Sequence, residues 1–90
     1  GQGTYIWGKG KWKGDKYVGQ WRNDKRSGLG TYFYSNGHIH KGEFLNSKRH
    51  GQGTYTWNNG DRYIGRWRNG KKYGEGTFIY ANGRTERQNW

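Results

Sequence analysis

The chain contains no cysteine, no proline and no methionine among its 90 residues. Without cysteine there is no disulfide framework, no thiolate zinc site and no cysteine nucleophile. Aliphatic residues are scarce. The whole hydrophobic set amounts to 28% of the chain while aromatics alone reach 19%, so a conventional aliphatic core is excluded and the apolar payload sits on Trp, Tyr and Phe. No apolar run approaches the roughly 20 residues of a membrane-spanning helix, and no signal-peptide pattern is visible. The chain begins mid-unit, as expected of a fragment of a longer protein. Acids are few as well, 6 against 17 Lys and Arg, which leaves a formal charge of +11. Such a balance predicts salt-dependent attraction to nucleic acid, anionic membrane or acidic protein, without choosing among them.

Glycine is abundant, 18 residues, yet its spacing is regular and not low-complexity. A Gly-x-Gly-Thr-aromatic opening recurs at Gly1, Gly28, Gly51 and Gly74, and a fixed period above about twenty marks a repeat array. The units run 1–27, 28–50, 51–73 and 74–90 in one domain, 1–90. The first is longer because Gly8-Lys9-Gly10-Lys11-Trp12-Lys13-Gly14 stands where the third has only Asn58-Asn59-Gly60.

Within a unit the pattern is that of a β-hairpin. Thr54 to Trp57 alternate threonine with aromatic, Asn59-Gly60 supply a turn in which both residues are expected at positive φ, and Asp61 to Trp67 resume the alternation. Eight short strands are predicted near 3–7, 15–22, 30–35, 39–45, 53–57, 61–68, 76–81 and 84–90, with no helix. Period 2 dominates over 3.6, and glycine recurs too often for a helix. The fold class is therefore all-β, an elongated single-layer antiparallel meander of repeated hairpins. Alternation places Tyr5, Trp7, Tyr17, Trp21, Tyr32, Tyr34, Phe44, Tyr55, Trp57, Tyr63, Trp67, Phe78, Tyr80 and Trp90 on one face. Gly19, Gly42 and Gly65 share that face and leave room for rings. The other face carries Thr4, Thr31, Thr54 and Thr77 with a thinner stripe of Ile6, Val18, Phe33, Ile39, Ile64 and Ile79.

The stretch Tyr63-Ile64-Gly65-Arg66-Trp67-Arg68-Asn69-Gly70-Lys71-Lys72-Tyr73-Gly74-Glu75-Gly76-Thr77-Phe78 resembles the MORN repeat, and Tyr17 to Tyr32 match the same pattern with Asp24 in the turn-glycine place. The resemblance covers essentially the whole chain and implies the family's elongated array of hairpins. His40 replaces the first tyrosine of the second unit and Phe44 its tryptophan, and Leu45-Asn46-Ser47 lacks the glycine. In the fourth unit Glu86 and Gln88 stand where Tyr and Gly are expected, as in a capping repeat.

The aromatic face suggests a groove for a partner peptide or helix, carried by Tyr5, Trp7, Tyr17, Trp21, Tyr32, Tyr34, Phe44, Tyr55, Trp57, Tyr63 and Trp67. The bland alternative is that the rings stack on one another as the core. Lys25-Arg26, Lys48-Arg49 and Lys71-Lys72 are expected in equivalent loops along one edge, with Lys9, Lys11 and Lys13 at the other, a set suited to anionic lipid or an acidic partner. A solvated edge accounts for the same charges. Trp12 suits a membrane interface, or folds back over the sheet edge. Gly3 to Lys9 and Gly65 to Lys71 fit a P-loop up to its lysine, but Gly10 and Lys72 replace the required Ser/Thr. His38, His40 and His50 are expected as surface histidines without a third positioned ligand, and Asp15 and Asp61 as turn aspartates. No catalytic constellation is found, and neither cofactor nor metal is expected.

The reading is a non-catalytic scaffold or protein-interaction module. Its rival is a peripheral membrane module binding acidic phospholipids such as phosphoinositides, a property the resemblance also implies. Nucleic acid is disfavoured because the rings face away from the basic edge. The expected partner is a protein: a peptide, a helix or another copy. The expected location is cytoplasmic, with membrane or cytoskeletal association.

Overall fold

The computed structural model describes residues 1–90 as eight strands and no helix: β1 (Gln2–Ile6), β2 (Lys16–Arg22), β3 (Lys25–Phe33), β4 (Ile39–Leu45), β5 (Lys48–Thr56), β6 (Arg62–Arg68), β7 (Lys71–Ile79) and β8 (Thr85–Asn89). Each pairs antiparallel with the next, so one open sheet follows sequence order, as the period-2 pattern predicts. The molecule measures 37 × 23 × 20 Å. A single layer has no second layer to cover its back, and only nine residues are buried.

Hairpin ends differ from expectation in two ways. β3, β5 and β7 begin at Lys25, Lys48 and Lys71, five residues before the predicted strands at 30, 53 and 76. The register slips between Gly19 and Trp21 and between Gly42 and Phe44, and Gly28, Gly51 and Gly74 take positive φ opposite these breaks and the one after Gly65. Each bulge hides a strand's continuation, so its first half reads as loop. In β3, Ser27, Gly28 and Leu29 face Gln20 alone. The excess is an even number, so side chains keep their faces across the bulge.

The second difference concerns the turns. Asn59 is not at positive φ; only Gly60 is, at 96°. Trp57 N–H donates to Asp61 O and Gly60 N–H to Trp57 O, the three-residue closure that ends in one left-handed glycine. Gly14, Gly37 and Gly83 close their turns alike. In the first, Trp7 N–H still reaches Asp15 O and Gly14 N–H still reaches Trp7 O, so the inserted residues are extruded from an unchanged frame. Two successive positive-φ residues occur instead at the opposite ends, at Asn23-Asp24, Asn46-Ser47 and Asn69-Gly70. These are the tight turns whose twist matches paired strands.

Registers align like residues into rows across the sheet. One row reads Tyr5, Tyr17, Tyr32, His40, Tyr55, Tyr63, Phe78, Glu86. A second reads Gly3, Gly19, Gly30, Gly42, Gly53, Gly65, Gly76 before Gln88 closes it. The sequence pattern places three of these glycines on the aromatic face, and the register adds the rest. Tyr17, His40 and Tyr63, all at 0% exposure, lie over Gly30, Gly53 and Gly76, where any Cβ would collide with the ring. Glycine is required there by contact.

Candidate functional site

Rings fill the face that the glycine row opens. Tyr17 meets Trp21 at 4.9 Å and Phe44 at 5.2 Å, both edge to face, and Tyr34 continues the chain to Tyr55 at 5.7 Å. Tyr55 then meets Trp57 at 4.7 Å, and Trp57 meets Phe78 at 5.3 Å. The rings thus do stack on one another as a core. They also leave a groove of about 890 Å³ over the first two units, whose lining includes Tyr5, Trp7, Trp12, Trp21, Tyr32, Tyr34, Phe44, Arg26 and Arg49. Tyr5 and Trp12 are half exposed in it. Trp12 lines the groove from the first loop, with Lys11 Nζ 4.9 Å from its ring centroid. Tyr55, Trp57, Tyr63 and Trp67 share the aromatic face but lie outside this groove. Lys9, Lys11 and Lys13 stand exposed in the first loop.

The basic pairs do not form loops. They open β3, β5 and β7, and consecutive strand residues point to opposite faces, so each pair splits. Lys25, Lys48 and Lys71 remain exposed on the back, while Arg26, Arg49 and Lys72 turn over the rings and are partly buried. The Arg26 guanidinium lies 4.7 Å from the Tyr32 centroid and 5.5 Å from Trp7, and that of Arg49 4.8 Å from Trp67. Their Nη2 groups donate to the carbonyls of Ser47 and Gly70, both at 2.6 Å. Those acceptors are the second residues of the next tight turn, which curls back so that Ser47 N–H donates to Arg26 O and Gly70 N–H to Arg49 O. Lys72 Nζ sits 4.5 Å from Trp90 and 4.8 Å from Tyr63. Burial, and the Arg49 charge after it, hold the Lys72 ammonium below its ordinary range.

The other end of the sheet is tied by the residues that close its three-residue turns. Asp15 accepts from Ser35 N–H at 2.8 Å and from the Tyr32 hydroxyl at 2.6 Å, and Asp61 accepts from Ala81 N–H at 2.8 Å. His38 occupies the equivalent place and accepts from Asn58 N–H through Nδ1 at 3.0 Å. Burial, with the Asp15 carboxylate adding to it, raises the Tyr32 phenol well above its ordinary range.

His40 corrects the expectation of a surface histidine. Its position matches Tyr17 and Tyr63, its side chain is fully buried, and both ring nitrogens lack a partner. It packs edge to face on Trp67 at 5.0 Å and Phe44 at 5.4 Å. Burial, and then the nearby Arg49 charge, bring its pKa down to about 3, so the imidazole is neutral. No three His, Asp or Glu side chains gather as metal ligands do. Of the P-loop look-alikes, Gly65 to Lys71 runs from β6 through the turn into β7, where no helix N-terminus is available.

The back face collects most of the positive charge. Lys16, Arg22, Lys25, Lys41, Lys48, Arg62, Arg66, Arg68, Lys71 and Arg87 all project there exposed, against two acids, Glu43 and Glu75. Arg22 pairs with Lys25 and Arg68 with Lys71 directly across their hairpins. Val18, Leu29, Leu45 and Ile64 lie exposed among them. Sequence reading missed Arg22 and Arg68 because it treated their neighbours as loop residues. The 23-residue interval from Lys25 to Lys48 to Lys71 and from Arg22 to Leu45 to Arg68 is the signal that would have found them.

The MORN repeat pattern matches residues 1–12, 17–39, 40–62 and 63–83. Comparison with curated proteins gave no significant match. Three of the matched segments begin at a ring that lies over a bare glycine, Tyr17, His40 and Tyr63. A tandem pattern on an open sheet of hairpins describes a repeat-based interaction module, and the chain belongs to the MORN repeat family.

Proposed function

We propose that the chain is a non-catalytic scaffold module whose aromatic groove docks a segment of a partner protein, in the cytoplasm and at membranes or cytoskeleton. The carrying observation is the groove's composition. Half-exposed Tyr5 and Trp12 stand beside a floor of packed rings and two guanidiniums, and aromatic and arginine side chains are the residues that anchor protein interfaces. Each of the six tryptophans supplies one indole N–H signal. A peptide selected from a random library is expected to shift the Trp7, Trp12 and Trp21 signals on titration, and Tyr5→Ala with Trp12→Ala to weaken it at least tenfold while the melting transition is kept. Unmoved indoles with a bound peptide would place docking elsewhere and sink the reading.

A second reading is supported by the back face, where exposed cations and aliphatic side chains are interspersed as on surfaces that meet anionic lipid. In this reading Lys25, Lys48 and Lys71 act with Arg22 and Arg68, whereas Arg26, Arg49 and Lys72 do not. Replacing the first three by Gln is expected to abolish co-sedimentation with anionic vesicles at about 0.15 M salt. Equal sedimentation with neutral vesicles rejects it.

A further inference from the structure

The cations over the rings form an evenly spaced row. Arg26, Arg49 and Lys72 each pair directly with the residue two after the glycine row, Trp21, Phe44 and Trp67. Each stands two strands from the next, about 10 Å at ordinary strand spacing. The hydrogen bonds of both guanidiniums go to neutral carbonyls, and Lys72 contacts rings. Burial first, and then the Arg49 charge, lower the Lys72 ammonium, so these two neighbours of the row are close enough to feel one another.

We propose that the segment this groove receives is an amphipathic α-helix that runs on along the array past the groove's end, with an acidic residue at every seventh position, one carboxylate each for Arg26 and Arg49, which line the groove, and for Lys72 beyond it. The inference rests on the groove being the docking face. Seven residues of helix advance about 10.5 Å and return to nearly the same side, which matches the cation spacing. The positions three and four residues after each acid fall on that side too, and apolar side chains there meet the rings between cations. An extended strand returns to one side every ~6.8 Å and meets the row out of step. A polyproline helix with acids every third residue advances about 9.3 Å, but its other residues point away from the groove and leave the ring floor bare.

The test uses the 90-residue chain and a synthetic 24-residue helical peptide with three Glu at seven-residue intervals and Leu at the third and fourth positions after each. Tight binding is expected, weakened at least tenfold when the three Glu become Gln or are moved to the opposite helix face. Lys72→Gln, whose ammonium makes only ring contacts, is expected to weaken it about fivefold. Lys72→Glu is expected to prefer a peptide whose first or last Glu is Lys. If the Gln peptide binds as well as the Glu peptide and still shifts the groove indoles, the acidic code is wrong while the groove reading stands. If neither peptide touches the groove indoles, both fail.

Discussion

Tyr17 and His40 fill the same slot one unit apart, each fully buried over the glycine of the next strand, Tyr17 with the Arg26 guanidinium 5.9 Å from its ring centroid and His40 within reach of the Arg49 charge. Tyr17 donates its hydroxyl to Gln20 O at 2.9 Å, whereas neither nitrogen of His40 has a partner. The slot is therefore defined by shape before polarity: it takes a flat ring of a certain reach and accepts an unsatisfied imidazole in place of a satisfied phenol. An unpaired buried polar group costs about 1–3 kcal/mol. The third unit carries a similar cost, since the buried Tyr63 hydroxyl is also unpaired. Only the slot of the second unit holds a group that takes up a proton in the acid range, which makes it the place where pH acts on the array.

The comparison breaks most sharply at the glycine. A Cβ on Gly53 would lie 2.6 Å from His40 Nε2 and 3.2 Å from Trp67 Cδ1, while one on Gly8 meets nothing. Gly53→Ala is expected to destabilise by about 3 kcal/mol, the upper end of overpacking penalties, and Gly8→Ala by less than about 0.5. Urea unfolding measures both, and equal midpoints would mean that the slot yields. Acid separates the two rings next. The unfolded chain protonates His40 near 6.5, the folded chain only near 3. Within that window the unfolded state binds the extra proton, so stability is full above about pH 6.5 and falls toward pH 3. The loss from His40 reaches roughly 2.5 kcal/mol by pH 4.5 at about 1.4 per pH unit. His40→Tyr, which copies the neighbouring units, is expected to flatten the stability difference between pH 7 and pH 4.5 by that amount. Parallel pH curves for the two proteins would contradict it. The smallest contrast concerns the covering cations. Arg49→Gln removes a charged hydrogen bond to Gly70 O and the stack on Trp67, an expected loss of about 2 kcal/mol. Lys72→Gln removes ring contacts alone, about 0.5 kcal/mol.

Much of this architecture is legible in the sequence. The 23-residue interval and the period-2 alternation give the meander and the aromatic face, because register and face are set by the same pattern. Three things escape it. The bulges at Gly28, Gly51 and Gly74 interrupt alternation, so strand beginnings read as loops and the side taken by each Lys-Arg pair is hidden. The paired positive-φ turns fall at Asn23-Asp24 and Asn46-Ser47, which lack the glycine usually sought there. His40 was in plain view, 23 residues from both Tyr17 and Tyr63. Residue type pointed to the surface where position pointed inward, and position prevailed because a ring that lies over the bare glycine of the next strand is buried there whatever its type.

The curled turns carry one more consequence. Arg26 reaches Ser47 and Arg49 reaches Gly70, while at the far end Asp15 reaches Ser35 and Asp61 reaches Ala81. Each of these contacts joins a unit to its successor at a fixed offset in the chain. The array is thus a digital object: its length changes without loss only by whole tiles of 23 residues, and a deletion of any other size inside a strand misaligns both edges at once. The extra residues of the first unit obey this rule, since they leave the frame between Trp7 and Asp15, the one kind of place where the count is not kept.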